Sequence, residues 1–245
     1  MKLHTWTMGN GPRTAALIHG ASKGADVWRD IARILVDEYD MTVLLLNQRG
    51  HGESPRARSY HVADFAGDLV ESLPTGLDFL IGHSLGGVAG AWAAPHLQPR
   101  HFIALDPGFS VPPAIKSMAT LFKLLGPMRQ RFANWSVGLP GAIPEGSAPD
   151  TLDRVRAMTR SWDASMVHPL VQSGLQQPFV VGPPAVPSTL LLADNSIVVP
   201  DALAGELRAA GWDVRVMPGG VHDFILQDPR RVVTLLHDVL MSRSD

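Results

Sequence analysis

The run Gly82-His83-Ser84-Leu85-Gly86-Gly87 sets a serine between glycines two positions away on either side. The apolar stretch Leu77–Ile81 precedes it, and the small residues Val88-Ala89-Gly90-Ala91 follow. A serine in G-x-S-x-G, on a tight turn from strand to helix, is a candidate nucleophile. Bulky neighbours clash on such a turn, and the hydroxyl projects from the carboxyl end of the sheet. The helix that follows offers free N–H groups and a positive dipole end to a developing oxyanion. The chemistry implied is acyl transfer through a serine ester. A glycine-rich turn without chemistry is the plainer reading, and the strand before and helix after weigh against it.

Other chemistries find less support. G-x-G-x-x-G is absent and Ser84 fills a position where a dinucleotide site needs glycine. No Walker-type phosphate loop and no H-E-x-x-H occurs. There is no close histidine pair and no acidic cluster with ligand spacing, so neither a metal nor a cofactor is expected. The chain has no cysteine, which removes disulfides, thiolate sites and cysteine nucleophiles. His83 reads as a packing or hydrogen-bonding residue of the elbow, His51 as a turn residue, and His168 as a surface residue or one lining a pocket.

The elements around the motif follow from hydrophobic pattern. Ala15–Ile18, Thr42–Leu46, Leu77–Ile81, Phe102–Leu105 and Thr189–Ala193 are short apolar runs that stop at Gly, Asp, Asn or Ser. Such runs predict parallel strands covered on both faces. Val62, Phe65, Ala66, Leu69, Val70 and Leu73 form the stripe of an amphipathic helix. Asp228-Pro229 is a cap and first-turn pair for a C-terminal helix. Pro200 opens another helix and Gly211 closes it. Strand–helix alternation predicts a doubly wound α/β sheet. Residues 109–187 interrupt it with helical pieces such as Met118–Leu125 and Leu152–Trp162, and are too apolar for a linker. They predict a helical cap inserted between core segments 1–108 and 188–245.

Four segments in order along the chain resemble the α/β-hydrolase family, over nearly its whole length. His19-Gly20-Ala21-Ser22, after the first buried run, is similar to the family's oxyanion loop. Asn47-Gln48-Arg49-Gly50-His51-Gly52-Glu53-Ser54 is similar to its D-x-RGHG-x-S turn, with Asn47 in place of Asp, a change read as structural. The Ser84 motif is the third segment. Gly219-Gly220-Val221-His222-Asp223 resembles the segment that carries the catalytic histidine. The resemblance implies an α/β-hydrolase fold, Ser84 as nucleophile and His222 as general base. It implies an oxyanion hole from the N–H groups of Ala21 and Leu85, with His19 and Gly20 shaping that loop. Four residues before Pro200 stands Ser196, which cannot be the acid of a triad. Asp194, directly after Ala193, is assigned instead, with Asp106 as the alternative. Asp223 adjoins His222, so its side chain is expected to point elsewhere.

Phe109, Met118, Phe122, Phe132 and Trp162 of the predicted cap either pack it down or line a pocket. The cap's small excess of Lys and Arg reads as a solvated face, or as room for an anionic substrate group. The substrate expected is a small molecule with an apolar acyl or alcohol part, cleaved in a carboxylesterase- or lipase-like reaction. The same residues could instead serve a carbon–carbon hydrolase or a cofactor-free haloperoxidase or perhydrolase. A binding protein without turnover is the third reading. Net charge is −2, which gives nucleic acid no reason to bind. No apolar run reaches the length of a signal peptide or a membrane span of about 18 residues. A cytoplasmic location is therefore expected, and oligomeric state is left open.

Overall fold

Each of the five predicted apolar runs becomes a strand, and two half-exposed edge strands join them. The computed structural model describes residues 1–242. The strands are β1 (Thr5–Met8), β2 (Arg13–Ile18), β3 (Met41–Leu46), β4 (Phe79–His83), β5 (His101–Leu105), β6 (Ser188–Ala193) and β7 (Asp213–Met217). The helices are α1 (Arg29–Tyr39), α2 (Val62–Ser72), α3 (Leu85–Leu97), α4 (Pro113–Leu124), α5 (Arg129–Ser136) and α6 (Thr151–Arg160). After them come α7 (Val167–Gln176), α8 (Asp201–Ala209), α9 (Phe224–Gln227), α10 (Pro229–Leu235) and α11 (His237–Met241). The sheet order is β1-β3-β2-β4-β5-β6-β7. Among the described strands only β1 runs antiparallel to its neighbour.

Alternation along β2 shows why both faces must be covered. Ala16 and Ile18 join a core with Phe65 and Leu69 of α2 and Val88 and Ala93 of α3. Ala15 and Leu17 join the opposite core, with Ile31 and Leu35 of α1 and Val232 of α10. Local chemistry sets the helix ends. The Asp64 carboxylate accepts the His61 N–H at the start of α2 (2.9 Å). Asp228 accepts the Arg231 N–H at the start of α10 (2.9 Å), with Pro229 in the first position.

Strand order reverses at β2. The chain leaves β2 for β3 on one side, while β4 lies on the other. The loops after β2 and β4 therefore diverge and leave a crevice at the carboxyl edge of the sheet, where ligands bind in doubly wound folds. Between β5 and β6 lie α4–α7 and no strand. Phe122, Trp162 and Met166 of this segment share the core of Val62 and Val88. No helix of the described residues is long and apolar enough to cross a membrane.

Candidate active site

Ser84 sits between the end of β4 and the start of α3 with φ 52° and ψ −114°. Such a conformation is strained for a residue with a side chain, and it turns the hydroxyl away from the helix. The neighbouring glycines are sterically required. A Cβ on Gly82 would lie 2.2 Å from the Gly86 carbonyl oxygen, and one on Gly86 would lie 2.3 Å from the Ile18 carbonyl oxygen. The bend is pinned by its own backbone. The Ser84 N–H donates to the Leu105 carbonyl (3.1 Å), and the Ser84 carbonyl accepts from Gly87 (3.0 Å) and Gly108 (3.2 Å).

The loop after β7 brings His222 to this hydroxyl, with Nε2 at 3.0 Å from Ser84 Oγ. On the other side of the ring, Nδ1 meets Asp106 Oδ2 at 2.6 Å. Asp106 follows β5, is fully buried, and accepts the Ala193 N–H on Oδ1 at 3.1 Å. The carboxylate against His222 is thus the alternative from the sequence and not the assigned residue. Asp194 lies exposed after β6. Its Oδ2 accepts the Gly219 N–H (2.9 Å), and its own N–H donates to the Gly220 carbonyl (2.8 Å). Asp194 therefore braces the loop that carries His222 without reaching the imidazole.

The loop after β2 passes close to Ser84. A Cβ on Gly20 would lie 3.1 Å from Ser84 Cβ, so glycine permits the approach. Ala21 and Leu85 line the same cavity as Ser84, and their N–H groups meet no acceptor among the described residues. His19 is fully buried, and burial foremost holds it well below the usual histidine range. Its neutral ring donates from Nδ1 to the Gly20 carbonyl (2.7 Å) and accepts the Gln48 N–H on Nε2 (3.0 Å). Both nitrogens are spent on backbone. Asn47 accepts the Ala25 N–H on Oδ1 (3.0 Å), which ties the far end of this loop to β3.

His83 makes a hydrogen bond at the elbow, one of the two roles the sequence offered for it, and beside it lies an ion pair that the sequence reading missed. His83 Nε2 donates to the His222 carbonyl (2.8 Å), which fixes the backbone of that residue. Burial, then the nearby His222 ring, pushes His83 down to about 4, so it is neutral. The Asp223 carboxylate meets Lys23 Nζ at 3.0 Å. Burial works against its charge, but Lys23 and the two imidazoles bring the carboxyl down to about 2. This ion pair joins the loop after β2 to the loop after β7. Only the strand topology brings these loops together, so spacing along the chain carried no signal of it.

These charges set the proton affinity of His222. Burial pulls it down, Asp106 and Asp223 pull it up, Lys23 opposes them, and the balance is a raised pKa. The resemblance gives His222 the role of general base, and a general base must be unprotonated to act. Activity should therefore climb with pH along a limb lying above the ordinary histidine value of about 6.5. Asp223→Asn removes a carboxylate that favours the imidazolium, so the limb should move to lower pH. A pH–rate profile on a soluble aryl ester reads this directly, and a limb that stays put or moves upward would contradict the balance described.

Ser84 and His222 open into a cavity of about 700 Å³, within the usual range for small-molecule sites. Its walls include Val88, Phe109, Phe122, Phe132, Trp162 and Leu170. Among the described residues no Asp, Glu, Lys or Arg lines it. The positive excess of residues 109–187 thus lies outside the cavity, and room for an anionic substrate group is not found there. Among the described residues no group of His, Asp and Glu is placed to hold a metal ion.

Similarity to known proteins agrees with this architecture. The thermophilic esterase from Thermogutta terrifontis has 19% identity and a TM-score of 0.77, with 97% of this chain and 92% of that chain covered. The enol-lactonase from Burkholderia xenovorans LB400 has 15% identity and a TM-score of 0.76, covering 98% and 96%. E-2-(acetamidomethylene)succinate hydrolase has 22% identity and a TM-score of 0.72, covering 98% and 95%. No curated protein sequence matches at a significant level. The model of the alpha/beta hydrolase family matches residues 16–235. With that match spanning most of its length and the expected sheet beneath it, the chain belongs to the alpha/beta hydrolase family.

Proposed function

We propose that this hydrolase cleaves carboxylic esters of uncharged, largely apolar acids or alcohols through an acyl-Ser84 intermediate. The observation that carries the reading is the contact chain Ser84–His222–Asp106, opening into a cavity walled by apolar side chains. His222 takes the Ser84 proton as the hydroxyl attacks the carbonyl carbon. The oxyanion is held by the N–H groups of Leu85 and Ala21, each such donor being worth about 10²–10³ in rate. His222 then protonates the departing alcohol, and water, deprotonated by the same ring, releases the acid and restores Ser84. Asp106 keeps the Nδ1 proton in place and stabilises the imidazolium. In this reading α4–α7 form the cap that excludes water and sets selectivity.

A fluorophosphonate should label Ser84, and p-nitrophenyl butyrate and octanoate should turn over. A succinyl monoester of similar size should be worse by on the order of 10²-fold, because its carboxylate would be buried without a partner. Absence of labelling in a folded sample would end the enzymatic reading. A preference for the charged ester would end the assignment of substrate class alone.

A further inference from the structure

The outer side of α4 and α5 carries a feature that ester cleavage does not use. Ile115, Ala119 and Phe122 turn inward at helical spacing, and Phe122 packs edge-on against Phe132 of α5 (5.8 Å). Outside this contact, large apolar side chains face water. Leu124 ends α4 at 79% exposed, Met128 in the connecting turn is 61% exposed, and Trp135 of α5 is 60% exposed. Such burial left undone is costly unless something covers the surface. Met118 and Leu121 are 45% and 42% exposed and also line the cavity, so its apolar interior reaches the surface at α4.

The charge of this stretch is one-sided. From Pro107 to Pro144 there is no Asp or Glu, while Lys116, Lys123, Arg129 and Arg131 all fall in that stretch. None of the four forms an ion pair among the described residues. The elements packed against these helices do not neutralise it. On α6, Asp153 faces Arg156 (3.5 Å); Asp163, before the turn at 164–166, is taken up by the Tyr60 hydroxyl (2.8 Å) and the Ser165 N–H (3.0 Å); and α7 contains no carboxylate. Exposed Leu, Met and Trp flanked by unpaired Lys and Arg are what an anionic lipid surface recognises, with the apolar groups entering the acyl boundary and the cations meeting headgroups.

We propose that α4, α5 and their connecting turn dock on an anionic lipid surface, so that apolar ester substrate enters the cavity past Met118 and Leu121 directly from the lipid. The route rests on the ester reading given above, whereas the docking itself does not. Charge complementarity selects the occupant. An acidic protein would satisfy the cations but leave Leu124, Met128 and Trp135 to find a matching apolar groove, while a lipid surface accommodates them without one.

The test is co-sedimentation of the whole chain with vesicles of phosphatidylcholine alone and of phosphatidylcholine with one-third phosphatidylglycerol. Binding is expected to the second only and to fall away in 0.5 M salt. Lys123→Gln with Arg131→Gln should weaken it roughly 25-fold, from about fivefold per cation. Leu124→Glu with Met128→Glu should abolish it. These four side chains do not line the cavity, so fluorophosphonate labelling and hydrolysis of a soluble ester should be unchanged in both variants. Failure to sediment with either vesicle would overturn the proposal. So would a dimer in size-exclusion chromatography that Leu124→Glu converts to monomer without any lipid binding, because a second copy would then be the occupant. Loss of labelling with intact vesicle binding would instead remove the ester reading and leave docking in place.

Discussion

Ser84→Ala is expected to lower turnover of a soluble aryl ester by about 10⁴–10⁶ while leaving the fold as it is. Alanine keeps the Cβ that already tolerates φ 52°, and the bend is held by backbone hydrogen bonds from Ser84, Gly87 and Gly108 rather than by the hydroxyl. What disappears is the oxygen at 3.0 Å from His222 Nε2. The cavity walls are untouched, so a non-hydrolysable apolar ester analogue should bind with little change. Turnover within tenfold of the parent, with unchanged melting temperature, would mean that another group attacks the substrate.

Asp106→Asn should cost about 10⁴ in kcat, whereas Asp194→Asn should stay within a few-fold of the parent. The first value follows from which atom faces which. Asp106 Oδ1 accepts the Ala193 N–H and Oδ2 meets His222 Nδ1. An asparagine must give its one amide oxygen to Ala193, so its NH₂ group faces the imidazole. Nδ1 is then forced to accept, the ring proton moves to Nε2, and that nitrogen can no longer take the serine proton. Asp106 has φ 41°, a conformation asparagine also tolerates, so the fold should survive. Asparagine at 194 can still accept the Gly219 N–H with its oxygen, so the brace on the His222 loop persists. Steady-state kinetics of the two variants, compared at the same pH, decide the matter. A crippled Asp194→Asn beside an active Asp106→Asn would reverse the assignment.

Ser84 is legible because its requirements are local, namely two glycines, a strand before and a helix after. The acid is not. Asp106 and Asp194 both follow buried strands at the same edge of the sheet, and β5 and β6 are neighbours. Which carboxylate faces the imidazole depends on how the loop after β7 folds back, and the Gly219 N–H claims Asp194 for that loop. Asp106-Pro107 reads equally well as turn chemistry, and its positive φ cannot be seen in the letters.

Strands fail for a related reason. β1 and β7 are partly exposed edge strands, so neither shows the continuous apolar run that marks the inner five. The serine strand lies two residues later than predicted, at Phe79–His83 instead of Leu77–Ile81, because it pairs with β5 up to the bend itself. Helix α1 was within reach, since Ile31, Ala32, Leu35 and Tyr39 form its buried stripe. The Lys23–Asp223 pair was not, because 200 positions separate partners that only the sheet order makes adjacent.

Ser84, Asp106 and His222 all stand at the ends of sheet strands or in the loops that leave them, and none comes from α4–α7. The groups proposed to react and most of the walls of the chamber above them therefore belong to different stretches of chain. Transplanting the helices of a relative between β5 and β6 should exchange the menu of molecules admitted while the reacting atoms keep their positions.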